Sequence, residues 1–280
     1  MALGGVLAGC AGHVNEQPAM TTRVLPSKGS ALAPPADYAL SWSDEFDEAT
    51  GMPSSARWGY DTARNKAGWY NGESQYYSKK RRENARVEGG RLIIEARAED
   101  LSSLRLRDWG GQRYSSARLT TLGKAAWHHG FFEIRARMPC ARGTWPALWL
   151  HPEHQNGRWQ GGEIDIAEAV GHEPGKVHHS IQTTTRNFRK GNHLTGTTRT
   201  STCDAFHDYQ LHWTREWVAI GVDGRVRFAA PADAFDRAMV LMVNLAVGGT
   251  WGGARGIDDD ALPARLEIEW VRVWQKRTSA

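Results

Sequence analysis

The sequence predicts an all-β protein built as a sandwich or a jelly roll. Apolar and polar residues alternate along several segments, glycine-rich turns separate these segments, and no long stretch shows the helical periodicity of an amphipathic helix. Many short strands joined by such turns are typical of β-sandwiches and jelly rolls. A length of 280 residues is compatible with one large β domain.

The alternation places the individual strands. Residues 91–98 and 132–138 alternate between apolar and polar side chains, as expected for half-buried strands. Residues 218–228 predict a hairpin, because Asp223-Gly224 lies between two alternating runs and is a strong signal for a two-residue turn. The nearly continuous apolar run 239–247 predicts a strand buried on both faces.

Two further segments are less regular. The alternation that starts at Leu266 changes phase after Trp270, which predicts either a β-bulge or a strand covered on both sides. Residues 232–238 could form one short helical turn.

The N-terminal 37 residues differ in composition from the rest. Leu7-Ala8-Gly9-Cys10 resembles the lipobox of bacterial lipoproteins, so we expect residues 1–10 to be a truncated signal segment with lipidation at Cys10. Residues 11–37 are rich in Ala, Pro, Ser and Gly and predict a flexible linker, followed by a folded body over residues 38–280. Because Ala follows the cysteine, we expect an exported outer-membrane lipoprotein that faces the periplasm or the cell surface.

Composition narrows the choice of partners. The net charge of +4 over 280 residues gives little support to nucleic-acid binding, and we expect none. No apolar run reaches the roughly 18 residues of a spanning helix, so membrane contact is expected only through the lipid at Cys10. We expect a monomer.

The cysteine and tryptophan residues give two further indications. Cys140 and Cys203 either pair in an oxidising compartment or remain two isolated thiols. The 13 Trp residues suit a carbohydrate cleft as well as a core.

The main candidate site is the acidic segment Gly162–Glu168. In a strand, Glu163 and Asp165 share one face, and a β-bulge near Ile166-Ala167 would bring Glu168 to the same face. The two glutamate Cα atoms would then lie roughly 13 Å apart. Their side chains could approach to about 5–5.5 Å, the carboxylate separation of a retaining glycosidase. Taken alone, the segment would also fit a solvated strand face.

Ordered blocks along the chain carry a family resemblance. Together with Gly162–Glu168 they resemble glycoside hydrolase family 16, in particular its bulged, laminarinase-like branch. The resemblance covers about residues 41–275. Its blocks are Trp42–Asp47, Trp58, Tyr70–Tyr77, Asn84-Ala85, Ser116–Arg118, Gly130–Arg135, Gly143–Leu150, Asn244–Gly253 and Glu269–Val273.

The resemblance implies both a fold and a mechanism. It implies a jelly roll of two antiparallel sheets with a concave substrate cleft, so that residues 38–280 form the catalytic domain. Glu163 would be the nucleophile, Glu168 the general acid/base, and Asp165 would orient the nucleophile. The implied reaction is a double displacement that retains anomeric configuration and requires no cofactor.

The resemblance also implies sugar contacts and a metal site. Each candidate contact has a structural alternative, such as a place in the core for Trp149 or an ion pair for Arg118. Gln182 stands where the family usually has His, which places the specificity of that subsite in question. Glu45, Gly90 and Glu269 match a structural calcium site that uses backbone oxygens and one acid, which in the family is usually Asp. The candidate sugar contacts are Asn71, Arg118, Trp145, Trp149, Gln182, Asn244 and Trp251.

The expected activity is endo-hydrolysis of a β-linked polysaccharide, most specifically a laminarin-like β-1,3-glucan. A galactan hydrolase of the agarose or carrageenan type is an alternative on the same scaffold. A non-catalytic glucan-binding module is another, although such modules lose catalytic acids, whereas Glu163, Asp165 and Glu168 are all present.

Overall fold

The computed structural model describes residues 1, 24–154, 159–232 and 235–277. Its strands follow the alternating and apolar segments of the sequence. In chain order they are β1 (Tyr38–Asp44), β2 (Thr50–Gly51), β3 (Gly59–Tyr60), β4 (Gln75–Tyr77), β5 (Ala85–Glu88), β6 (Leu92–Ala98), β7 (Tyr114–Ser116), β8 (Arg118–Thr120), β9 (Gly130–Arg137), β10 (Thr144–Pro152), β11 (Glu163–Glu168), β12 (Lys176–Gln182), β13 (Leu194–Arg199), β14 (His207–Trp213), β15 (Trp217–Val222), β16 (Arg225–Pro231), β17 (Met239–Val247) and β18 (Ala264–Lys276).

The strands form two sheets. The outer sheet has 11 strands in the order β16-β15-β14-β9-β18-β6-β5-β2, with β1 beside β18, β7 beside β6, and β4 beside β7. The inner sheet has seven strands in the order β13-β12-β11-β10-β17-β8-β3. Among the described strands the pairs are antiparallel except for β4 with β7. The predicted sandwich of two antiparallel sheets is confirmed.

One apolar cluster joins the facing sides of the two sheets. From the outer sheet come alternate residues such as Ile94 and Phe132, and from the inner sheet come Leu148, Ile164 and Val243, none of which is accessible to solvent. This burial supplies the main driving force that holds the sheets together. It leaves the other face of the inner sheet free to form a cleft.

Several local predictions are confirmed. β15 and β16 form the predicted hairpin, and both turn residues, Asp223 and Gly224, have positive φ, as a two-residue hairpin turn requires. β17 is buried along its whole length. The predicted irregularity in β18 is a register shift between Ile268 and Trp270 opposite β9.

The linker prediction needs a correction. Residues 11–37 were expected to form a flexible linker, yet residues 29–32 pack on the body. Ala31 pairs with Arg225, the Leu32 amide donates to the Gly224 carbonyl at 2.8 Å, and the Leu32 side chain is buried against Phe131 and Val226. The segment is therefore attached by one buried apolar side chain and by backbone pairing with the edge of the β15–β16 hairpin. Cys10, the lipobox and residues 11–23 lie outside the described residues.

Helical structure in the described residues consists of short 3₁₀ turns at Tyr70–Gly72, Ser102–Leu104, Phe188–Lys190 and Asp259–Ala261. The helical turn predicted for 232–238 falls partly outside the described residues, and its described part is irregular. None of the described helices has the length and apolar character needed to cross a bilayer. Cys140 and Cys203, which the sequence left open, form a disulfide that joins residues 63 positions apart.

Candidate active site

β11 carries three acidic residues to one cleft. Glu163 lies opposite Gln182, Asp165 opposite Ser180, and Glu168 opposite His178 on β12. Regular pairing would send Glu168 inward, but the register shifts between Asp165 and Glu168. All three carboxylates therefore line the cleft.

The extra residue is accommodated on the core side of β11. Ile166 and Ala167 are adjacent, and both are fully buried in the apolar cluster between the sheets. The partner strand β10 shows the matching shift between Leu148 and Trp149. The predicted bulge near Ile166-Ala167 is confirmed.

A glycine sets the entry to β11. Gly162 has a φ of 86°, and a Cβ atom at this position would lie 2.2 Å from the Phe235 ring. Both the backbone conformation and the close contact exclude a larger residue without local rearrangement. Gly162 thus fixes the direction from which the chain reaches Glu163.

Asp165 is the most buried of the three acids, with 4% of its surface exposed. The Ser180 hydroxyl donates a short hydrogen bond to Asp165 Oδ2, and Gln182 Nε2 donates to Ser180 Oγ at 3.1 Å. Burial raises the pKa of Asp165 to about 6, although the hydrogen bond from Ser180 opposes this change. A carboxyl with this pKa can hold or release a proton near neutral pH.

Glu168 has the properties of a general acid. Its burial among the cleft side chains raises its pKa well above the usual value, and the neighbouring charge of Asp165 raises it further. Trp145 Nε1 donates to Glu168 Oε1 at 2.9 Å, which fixes the direction of the carboxyl group. A glutamate that keeps its proton can protonate a leaving oxygen.

Glu163 has a different environment at the other end of β11. It is partly exposed to the cleft, and Trp159 Nε1 donates to its Oε1 at 3.3 Å. The two glutamates are therefore both accessible from the cleft but differ in their surroundings. This difference is what a nucleophile and an acid/base pair need.

Indole rings flank the acids. The cleft has a volume of about 540 Å³. Trp145 and Trp251 meet edge to face with ring centroids 5.1 Å apart, and Arg118 lies over the Trp149 ring at 4.8 Å. Arg118 is also paired with Asp61 at 3.1 Å, so both its predicted binding role and the alternative ion pair fit its position. Indole faces in an open cleft are suited to stacking against sugar rings.

The structure brings together all of the predicted sugar-contact residues, although their contact with sugar stays a prediction. Asn244 is buried within β17, where its Oδ1 accepts from Trp149 Nε1 at 2.8 Å and its Nδ2 donates to the Tyr77 hydroxyl at 3.1 Å. Gln182 accepts from the Phe188 amide at 3.0 Å. The residues that line the cleft are Asn71, Arg118, Trp145, Trp149, Gln182, Asn244 and Trp251.

Sequence reasoning did not assign a role to four other residues at this site. Ser180 contacts Asp165, Trp159 contacts Glu163, and Glu73 and Phe188 line the cleft. Glu73 lies in the block that carried the family resemblance, which was the only signal for it. The other three depend on pairings between segments that the sequence does not reveal.

The carboxylates among the predicted calcium ligands are paired with arginines. Arg272 donates to both carboxylate oxygens of Glu45 and lowers the pKa of that group. Arg135 donates to Glu269 at 2.8 Å. Gly90 lies in the turn between β5 and β6. No cluster of three or more His, Cys, Asp or Glu side chains suited to a metal occurs in the described part of the chain. Calcium binding through backbone oxygens and Glu269 stays a prediction, with the Glu269 carboxylate already paired with Arg135.

A cleft with three carboxylates on one bulged strand, flanked by indole rings, is that of a carboxylate-dependent glycoside hydrolase. The chain belongs to glycosyl hydrolase family 16, whose model matches residues 72–272. The resemblance seen in the sequence is thereby confirmed.

Relatives of known activity support the assignment. The β-glucanase of Rhodothermus marinus is 43% identical over 255 residues, which cover 85% of each chain. The glucan endo-1,3-β-glucosidase of Cryptopygus antarcticus is 32% identical over 85% of this chain and 92% of its own.

Solved structures agree with this assignment. SCLam, a non-specific endo-β-1,3(4)-glucanase, superposes with a TM-score of 0.85 at 42% identity, over 89% of this chain and 96% of its own. The laminarinase from Rhodothermus marinus superposes with a TM-score of 0.80 at 43% identity, over 86% of this chain and 98% of its own. The jelly roll implied by the resemblance is the fold of these enzymes.

Proposed function

We propose that the protein is a retaining endo-β-1,3-glucanase that cleaves a laminarin-like polysaccharide. The observation that supports this most directly is the bulge in β11, which turns Glu163 and Glu168 into one cleft with Asp165 between them. The substrate class rests on the relatives described above, which include a glucan endo-1,3-β-glucosidase and a laminarinase.

The reaction uses the two glutamates in turn. Glu163 attacks the anomeric carbon while Glu168 protonates the oxygen of the departing sugar, which leaves a covalent glycosyl-enzyme. Glu168, now ionised, removes a proton from water, and the resulting attack releases the sugar with its original configuration. Trp145 holds Glu168 in position through both steps.

The Glu163→Gln variant tests this assignment. It is expected to bind laminarin but to lose hydrolysis, because the amide is a poor nucleophile. The exposed glutamate Glu48 provides a matched control, and Glu48→Gln should retain full turnover. NMR of the first product should show the β-anomer. An α-anomer would contradict a retaining mechanism, and unchanged turnover in Glu163→Gln would contradict the nucleophile.

A second variant tests the acid/base. Glu168→Ala should be rescued in part by azide on a substrate with an activated leaving group, because such a group needs no protonation and azide needs no base. Absence of rescue would count against Glu168 as the acid/base.

A product screen over laminarin, mixed-linkage glucan, agarose and carrageenan separates a glucanase from a galactan hydrolase.

We also propose that the enzyme is a monomer held at the outer membrane by a lipid on Cys10. The support is the lipobox-like segment Leu7–Cys10 and the composition of residues 11–23, which suit a tether. Cys10→Ser should move the protein from the membrane to the soluble fraction and abolish incorporation of labelled palmitate. Continued membrane association of this variant would refute the anchor, and a dimer mass in light scattering would refute the monomer.

A further inference from the structure

A fourth carboxyl group lines the cleft and has no part in the mechanism above. Glu73 follows the 3₁₀ turn Tyr70–Gly72, and its backbone pairs with Gly248 at the end of β17. Its side chain is partly exposed, and that exposed part faces the cleft. A partly buried carboxyl in a glycosidase cleft needs a physical reason, because removing a charge from water is costly.

A row of residues crosses the inner sheet at the cleft. Register places His178, Glu168, Ala147, Asn244 and Arg118 side by side on β12, β11, β10, β17 and β8. We call these residues the cleft row. All five line the cleft, so a sugar chain that crosses the strands follows this row.

The centre of the cleft row has room for a sugar ring. Ala147 has a small side chain and lies on β10 between Trp145 and Trp149, which face the same cleft. A ring above Ala147 would have Glu168 on one side and Asn244 on the other. The three carboxylates of β11 all lie on the side of Ala147 where Glu168 is found, and not on the Asn244 side.

Polar groups on the Asn244 side are largely engaged with one another. Both side-chain groups of Asn244 are bonded, to Trp149 and to Tyr77. Arg118 is a donor and is paired with Asp61. Sugar hydroxyls need acceptors as well as donors. Glu73 lies on this side, because it contacts Tyr77, which bonds Asn244. Of the carboxylates among the described residues that line the cleft, Glu73 is the one on this side that can accept from such hydroxyls.

Glu73 is also held in place for such a role. Its Oε2 accepts from Gln75 Nε2 at 3.0 Å and from the Tyr77 hydroxyl at 3.5 Å. Both partners are fully buried, and Tyr77 in turn accepts from Asn244, which accepts from Trp149. A chain of hydrogen bonds therefore links the Glu73 carboxyl to the Trp149 indole. Burial raises the pKa of Glu73, and the nearby charge of Arg118 opposes that change.

We propose that Glu73 is a substrate-positioning residue, which accepts a hydrogen bond from a hydroxyl of the glucose unit lying against Trp149. This assignment rests on the proposed glucanase function. It makes Glu73 a residue that selects and aligns the sugar next to the cleavage point. The hydrogen-bond chain through Tyr77 and Asn244 keeps the acceptor and the indole platform in fixed relation.

The test measures binding separately from chemistry. Laminari-oligosaccharide affinity is measured by calorimetry in Glu163→Gln, and again with Glu73→Ala or Glu73→Gln added. KM and kcat are measured for the same Glu73 substitutions in the otherwise unmodified chain. Loss of a charge-assisted hydrogen bond should raise Kd and KM roughly 10- to 100-fold for Glu73→Ala, with a smaller change in kcat. Glu73→Gln keeps an acceptor oxygen and should lose less. Glu48→Gln is the matched control and should change none of these values.

Each outcome decides the proposal. A Kd within about twofold of the parent for both Glu73 variants would overturn it. If Glu73→Ala does not fold, the isosteric Glu73→Gln still decides, since an unchanged Kd and KM would again overturn the role. Failure of the glucanase function is distinguishable, because the unmodified chain would then neither bind nor cleave laminarin.

Discussion

Replacing Asp165 by Asn is expected to stabilise the fold while impairing the enzyme. Asp165 is 4% exposed, and burial raises its pKa from 3.8 to about 6. Each tenfold change in an ionisation constant corresponds to 1.36 kcal/mol. Holding this carboxylate ionised at pH 7 therefore costs the folded state roughly 3 kcal/mol. Asn has nearly the same size and can still accept the hydrogen bond from Ser180, so most of this cost should disappear.

The raised pKa of Asp165 also determines how the free energy of unfolding changes with pH. A carboxyl whose pKa is higher in the folded protein than in the unfolded chain favours folding at low pH, where both forms are protonated. That advantage is lost as pH rises from about 4 through about 6. The free energy of unfolding of the unmodified protein should fall across this window. The Asp165→Asn variant should lack this step.

Urea denaturation at several pH values measures the effect, with Asp260→Asn as an exposed control. In the same variant the alkaline limb of kcat/KM should move to lower pH, because the charge that raises the pKa of Glu168 is gone. If Asp165→Asn is no more stable than the unmodified protein at pH 7, and its stability varies with pH in the same way, then the ionised Asp165 carboxylate does not destabilise the fold and the reasoning is refuted.

Three further changes test other parts of the structure. Replacing Cys140 and Cys203 by Ser opens a link between residues 63 positions apart and should cost about 2–5 kcal/mol in denaturation, whereas an unchanged midpoint would show that the bond does not form. Excess EDTA should leave Tm unchanged if the arginine pairs of Glu45 and Glu269 take the place of a cation, whereas a clear drop in Tm would support the predicted calcium site. Leu32→Ala should cost about 2 kcal/mol if residues 29–32 belong to the folded body, and no loss would restore the flexible linker.

Local patterns in the sequence were sufficient for much of the fold. Alternation along a strand reports directly which face is buried, so β6, β9 and the β15–β16 hairpin could be placed. The bulge in β11 was predictable for the same reason, since three acids with this spacing share one face only if one extra residue is inserted.

Features that depend on contacts between distant segments could not be predicted. Ser180 reaches Asp165 because β12 pairs with β11 in one particular register, and Glu73 reaches Asn244 only through Tyr77. Leu32 is a single apolar residue in a segment with the composition of a linker. Nothing in the neighbouring sequence indicates that its side chain packs against Phe131 and Val226. Such pairings are set by the whole fold.

The bulge in β11 also bears on how an active strand of this kind could change in length. Ile166 and Ala167 both point inward, so deleting either codon would restore strict alternation between the two glutamates. Both carboxylates would still face the cleft, and their separation along the strand would change little, because they already lie opposite residues four positions apart on β12, Gln182 and His178. A lineage could therefore lose or gain the bulge by a single in-frame change, without passing through a form whose acids point the wrong way.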